Sequence, residues 1–178
     1  IVRYAVLDWG PTLLGEWKGV SIHHAGWMVA AFEISGIVGM LVAGWATDRF
    51  FGGRGPRVCV ICMALATVFV ALFWGISQPP MWLATLLLGA AGFCIYGPQA
   101  LVGIAAANIA TKKAAATAVG FTGLFGYAST LVSGWGLGLL AQHYGWNIAV
   151  GALILIAIMG TLIFMAAWSA KANGYDND

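Results

Sequence analysis

Arg3 sits in Ile1-Val2-Arg3-Tyr4-Ala5-Val6-Leu7, a run otherwise apolar enough for the inside of a membrane. A guanidinium cannot lose its proton under physiological conditions, so it carries its charge into that run. Insertion scales put the penalty at about 2.5–3.5 kcal/mol or more near the bilayer centre. Two readings are open: a site that meets a negative partner, or a helix-end arginine snorkelling to the headgroups. Glu33, Tyr96 and Tyr127 pose the same question from three other apolar stretches. A carboxyl such as Glu33 either serves a substrate or coupling role or sits protonated in a helix contact. The two tyrosines share a local pattern, Gly89-x-x-Gly92-x-x-x-Tyr96 and Gly120-x-x-Gly123-x-x-x-Tyr127. Glycines at i−4 and i−7 lie on the tyrosine's own face. They either admit a neighbouring backbone or leave volume beside the phenol. Asp8 follows Arg3 by five residues, about 140° around a helix, so the two do not share a face.

The elements that carry these groups follow from composition. The chain is 61% hydrophobic and 8% charged, against about 25% charged in soluble domains, so it is an integral membrane protein. Continuous apolar runs without strict alternation make it all-α rather than a β-barrel. A membrane helix needs about 20 apolar residues. Five such runs are expected at about 25–46, 58–77, 81–107, 117–142 and 147–168. A sixth, 1–14, covers only about 21 Å of a core about 30 Å thick. The chain is therefore expected to be a piece of a longer protein, its first helix truncated, with residues 1–170 forming one bundle and 171–178 a cytoplasmic tail. Ser35, Gly39 and Ala43 form a small-residue series that reads as helix packing. Cys59, Cys62 and Cys94 lie in apolar segments with no further metal-type ligand nearby and read as packing residues.

Orientation comes from the basic residues. Arg49, Arg54 and Arg57 occupy one link, Lys112 and Lys113 another, and Lys171 the tail. With alternating helices these share a side, and the positive-inside rule makes it the cytoplasm. The other side holds Lys18 beside Glu16 and His23-His24, with Trp17, Trp27, Trp82 and Trp146 as an aromatic belt. Counting residues inward places Arg3 about 16 Å below the outer boundary. Glu33, Tyr96 and Tyr127 then share its depth, where transporters place their substrates. A net charge of +2 and the lack of a basic aromatic stretch exclude a nucleic-acid partner, and no nucleophile–base pair or metal constellation points to an enzyme.

Two sets of residues carry a resemblance. Gly44-x-x-x-Asp48-Arg49 followed by Gly53-Arg54 resembles the cytoplasmic loop signature of the major facilitator superfamily. Arg3-Tyr4-x-x-Leu7-Asp8-Trp9, Tyr96-Gly97-Pro98, Lys112-Lys113-Ala114-Ala115 and Gly120-Phe121-Thr122-Gly123-Leu124-Phe125-Gly126-Tyr127 resemble the organophosphate:inorganic-phosphate antiporters within it. The resemblance implies helices seven to twelve of a twelve-helix fold in the cytoplasmic membrane, with the N-terminal six-helix half as partner. It implies exchange of glycerol-3-phosphate or a sugar phosphate for inorganic phosphate; no cofactor and no metal are expected from the residues themselves. It implies that Arg3 binds the phosphoryl group together with an arginine of the other half. Tyr96 and Tyr127 would line the central cavity; apart from the resemblance, Glu33 and Asp8 are expected as further substrate-site residues. Hexose-phosphate members carry an acid and a lysine where Val119 and Thr122 stand, which tilts the expectation towards glycerol-3-phosphate or a sensor-like member. A membrane sugar-phosphate sensor acting on a kinase is the alternative the family also contains.

Overall fold

The computed structural model describes residues 1–110 and 113–169. Lys112, Lys171 and the tail expected at 171–178 lie outside them. The chain forms α1 (Val2–Lys18), α2 (Ile22–Phe50), α3 (Gly55–Gly75) and α4 (Met81–Ile109). It continues through α5 (Ala115–Leu131), a π-helical turn (Val132–Gly136), α6 (Leu137–Tyr144) and α7 (Trp146–Ala166). The segment from Ala115 to Tyr144 is one helix, so there are six rods, and no strand occurs among the described residues. Five rods are long and apolar enough to cross a membrane. The backbone groups along the middle of such a rod are satisfied within it, which is what the bilayer core demands.

Several helices run beyond the expected spans. α1 continues past Leu14 to Lys18, where Gly19 at φ 68° ends it. The Gly19 N–H reaches the Gly15 carbonyl at 3.1 Å and the Val20 N–H reaches that of Leu14 at 3.0 Å. α2 begins at Ile22 and reaches Phe50 rather than stopping at Ala46. Hydropathy locates where apolar side chains end, whereas a helix continues until its hydrogen-bond ladder is capped. α3 and α7 instead end short of their expected limits, at Gly75 and Ala166. The π-helical turn in the fifth rod has no counterpart in the expectations.

The core is built around α4, whose buried residues run from Ala84 to Leu101. Its main partner is α2. Glycines make that contact possible. A Cβ on Gly39 would collide with the Phe93 backbone, and one on Gly92 with the Phe32 carbonyl. A Cβ on Gly97 would stand 2.7 Å from that of Ala43. Ser35 Oγ donates to the Gly89 carbonyl across the same seam at 2.7 Å. The Ser35–Gly39–Ala43 series is thus a packing surface. α5, by contrast, has no buried residue, and none of the described residues comes within 4 Å of a Cβ placed on Gly120 or Gly123.

The two ends of the bundle are chemically distinct. At one end Lys18 Nζ donates to the Ile76 carbonyl, Trp74 Nε1 to Asn147 Oδ1, and Trp146 Nε1 to Glu16 Oε2. At the other, Ala43, Val58, Cys59 and Leu101 pack beneath the arginine-bearing link. In that link Gly53 takes φ 75°, and its N–H reaches the Thr47 carbonyl at 3.0 Å. Only glycine adopts that conformation without strain.

Adding one methyl group separates the two kinds of glycine. Gly39→Ala forces α2 and α4 apart and should destabilise the fold by about 1–3 kcal/mol, as overpacking does. Gly120→Ala should melt like the native protein or slightly higher. Thermal melting of the detergent-solubilised protein distinguishes them, and an unaltered Gly39→Ala midpoint refutes the close contact. Orientation is tested with Ser77→Cys and Lys113→Cys, both at exposed positions on opposite sides. An impermeant thiol reagent applied to intact cells should label the first and spare the second; the reverse pattern inverts the topology.

Candidate functional site

Three of the five sequence candidates meet. Arg3 in the first turn of α1, Glu33 midway along α2 and Tyr96 midway along α4 converge on one point. Arg3 Nη2 stands 3.6 Å from Glu33 Oε2. The guanidinium carbon lies 4.3 Å from the centroid of the Tyr96 ring, with the Tyr4 ring on another side at 5.7 Å. Tyr96 reaches this position because Gly36 faces it with no side chain: a Cβ there would be 2.5 Å from the ring. Phe32 steadies the ring edge-on, centroid to centroid 6.1 Å.

The geometry leaves hydrogen-bonding capacity in hand. A charge-assisted N–H···O bond spans about 2.7–2.9 Å, so the Arg3–Glu33 pair is an ionic contact without a tight hydrogen bond. Arg3 Nε, Glu33 Oε1 and Tyr96 Oη have no partner among the described residues. The Arg3 and Glu33 side chains keep 25% and 30% of their surface accessible, so the pair borders an open space rather than a sealed core. Arg3 and Tyr4 line a cleft of about 310 Å³ together with Gln99, Ser129 and apolar residues of α3, α4 and α7. A cation backed by a π face, with free N–H edges and neighbouring hydroxyl and amide groups, is suited to a multidentate oxyanion.

Tyr127 and Asp8 take no part in this contact. Tyr127 is 72% exposed on α5. The two glycine–tyrosine patterns therefore differ in surroundings: the first is filled by α2, the second is open. Asp8 is exposed and faces the π-helical turn, its Oδ2 3.8 Å from where a Gly134 Cβ would be. Of the loop residues, Gly44 is in open surroundings, Asp48 and Arg49 lie in the last turn of α2, and Gly53 and Arg54 follow in the link. Among the described residues the Arg3–Glu33 pair is the only ion pair, so Asp48 has no cationic partner there. No group of three or more His, Cys, Asp or Glu side chains among them is placed to hold a metal ion. Tyr4, Gln99 and Ser129 were missed by sequence reasoning. Their signal was adjacency to Arg3, Pro98 and Tyr127, but only the folded chain shows that these positions border one cleft.

The sequence profile of the Major Facilitator Superfamily matches residues 9–174. The chain is 39% identical over 171 residues to a probable hexose phosphate transport protein of Chlamydia pneumoniae, covering 96% of this chain and 38% of that protein. It is 36% identical over 169 residues to the glycerol-3-phosphate transporter of Bacillus subtilis, covering 94% of this chain and 38% of the transporter. It is 33% identical over 173 residues to the membrane sensor protein UhpC of Salmonella typhimurium, covering 97% and 39%. The chain thus spans about two-fifths of the length of these relatives. With five rods long and apolar enough to cross a membrane and a profile match along nearly its whole length, this multi-pass membrane protein belongs to the Major Facilitator Superfamily.

Proposed function

We propose that the chain is the C-terminal six-helix half of a secondary transporter that exchanges an organophosphate for inorganic phosphate across the cytoplasmic membrane. The observation that carries this reading is Arg3: a permanent cation on an apolar helix, stacked on Tyr96, with its ion pair to Glu33 too long to consume its donors. Arg3 binds the phosphoryl group through its fork, and the N-terminal half supplies further positive charge. Glu33 balances Arg3 when no anion is bound. The Tyr96 hydroxyl, unpartnered in the structure, donates to a phosphate or sugar oxygen. Tyr127 and Asp8 meet the substrate or the partner half from the open side of the bundle. Gly44, Asp48 and Arg49 near the end of α2, with Gly53 and Arg54 in the link that follows, form the cytoplasmic motif between α2 and α3.

The substrate class is an organophosphate monoester. Val119 and Thr122 tilt towards glycerol-3-phosphate or a sensor-like member, yet similar proteins are named for hexose phosphate as well as for glycerol-3-phosphate, and the substrate class takes in both. A second reading, a membrane receptor for a sugar phosphate that signals to a kinase, is supported by the similarity to a membrane sensor protein. Counterflow of labelled phosphate in proteoliposomes separates the two, since a receptor binds without exchanging.

Substitutions at three positions test the site in the full-length protein. Arg3→Lys keeps the charge and loses the planar fork, so phosphate affinity should fall by about 1.5–3 kcal/mol, the range for hydrogen bonds to charged groups. Native affinity in both Arg3→Lys and Arg3→Ala would falsify the assignment. Tyr96→Phe keeps the ring against Gly36 and removes only the hydroxyl. It should raise the half-saturation concentration several-fold with an unchanged melting point, whereas a purely structural Tyr96 would leave transport kinetics native. Tyr127→Phe on the open face should also preserve folding while weakening substrate binding, and native kinetics there would remove Tyr127 from the site.

A further inference from the structure

A second cleft of about 490 Å³ lies between the ends of α1, α6 and α7, at the opposite end from the arginine-bearing link. Trp9, Thr12, Glu16, Trp135, Gln142 and Trp146 line it. Its parts are held in place. Trp9 Nε1 donates to the Gly134 carbonyl at 2.9 Å, and Trp146 Nε1 donates to Glu16 Oε2 at 2.7 Å. Both indole N–H groups are thereby consumed, and the rings stand 5.9 Å apart at 59°. Gly138 admits the Trp9 ring: a Cβ there would meet it at 2.6 Å. The π-helical turn Val132–Gly136 carries both Gly134 and Trp135. Such wide turns are often found at functional sites. Trp135 is 76% exposed.

The electrostatics of this cleft are the inverse of the central one. Glu16 is steadied by a neutral donor, and no Lys or Arg lies within 4 Å of its carboxylate among the described residues. Among the described residues no basic side chain lines the cleft. Indole faces carry negative electrostatic potential and attract cations, most strongly when water is excluded. A phosphate would be repelled. We propose that this cleft binds an organic ammonium group, its charge on Glu16 and its carbon substituents against the indole rings. The group can arrive as the amine of a zwitterionic lipid headgroup or as a free small amine.

The test uses the full-length protein with choline and its neutral isostere 3,3-dimethylbutanol, read by indole fluorescence. Choline should saturate and the alcohol should not. Glu16→Gln keeps an oxygen for the Trp146 indole and removes the charge, so choline should bind about tenfold more weakly with the melting point retained. Trp135→Ala, at an exposed position, should weaken it as well and serves if the first variant fails to fold. In a second arm, native mass spectrometry counts phosphatidylethanolamine retained over phosphatidylglycerol. Retention that disappears in Glu16→Gln identifies a lipid as the source, and choline binding without lipid preference identifies a free amine. Equal binding of choline and the alcohol, or binding indifferent to both substitutions, overturns the proposal.

Discussion

The close approach of α2 and α4 is the contact on which the remaining geometry depends. Gly39 against the Phe93 backbone and Gly92 against the Phe32 carbonyl let the two helix backbones approach closely at those positions. In a bilayer apolar side chains gain little by leaving lipid, so helices associate through close packing and through polar groups that find partners. Both operate here, the second through Ser35 and the Gly89 carbonyl. The same seam sets the Tyr96 ring over Gly36, and Tyr96 in turn is the platform on which Arg3 rests. A small displacement at the glycines would therefore reach the guanidinium directly.

At the site, charge neutrality and readiness are both achieved. Arg3 and Glu33 are near enough to screen one another in a medium of low dielectric, where an isolated charge would be strongly disfavoured. They are too far apart to exhaust their hydrogen-bonding atoms. Arg3 is thus held against the Tyr96 and Tyr4 rings with hydrogen-bonding capacity left uncommitted. Pre-ordering of this kind raises affinity by reducing the ordering loss on binding.

The two ends and the two faces of the bundle divide their tasks. α4 is packed on several sides, while α5 buries nothing and presents Phe121, Leu124, Phe125 and Tyr127 outward. The arginine-bearing end is ordered by glycine turns and an apolar plug beneath them. The opposite end is ordered by indole N–H bonds and a lysine on a helix terminus, groups that need one apolar side and one wet side. That division matches a rod bundle whose lipid-facing surface must be apolar and whose rims meet water.

Sequence alone determined the class of this protein, the count of its rods and the residues that stood out of place. Apolar run lengths reflect the thickness of the bilayer, and an arginine among isoleucine, valine and leucine is conspicuous without any coordinates. Gly39 could be assigned to packing from its spacing, since only small residues let helix backbones touch. Helix ends were less legible, because Gly19 stops α1 through a backbone conformation that hydropathy does not register. The identical glycine–tyrosine patterns at 89–96 and 120–127 could not be told apart by spacing, because what differs is the neighbour: α2 covers the first and nothing among the described residues covers the second. The pairing of Arg3 with Glu33 and the gathering of Trp9, Trp146 and Glu16 around a π-helical turn likewise join residues from separate helices. Such contacts depend on how rods rotate and slide against each other, and only the tertiary structure decides that.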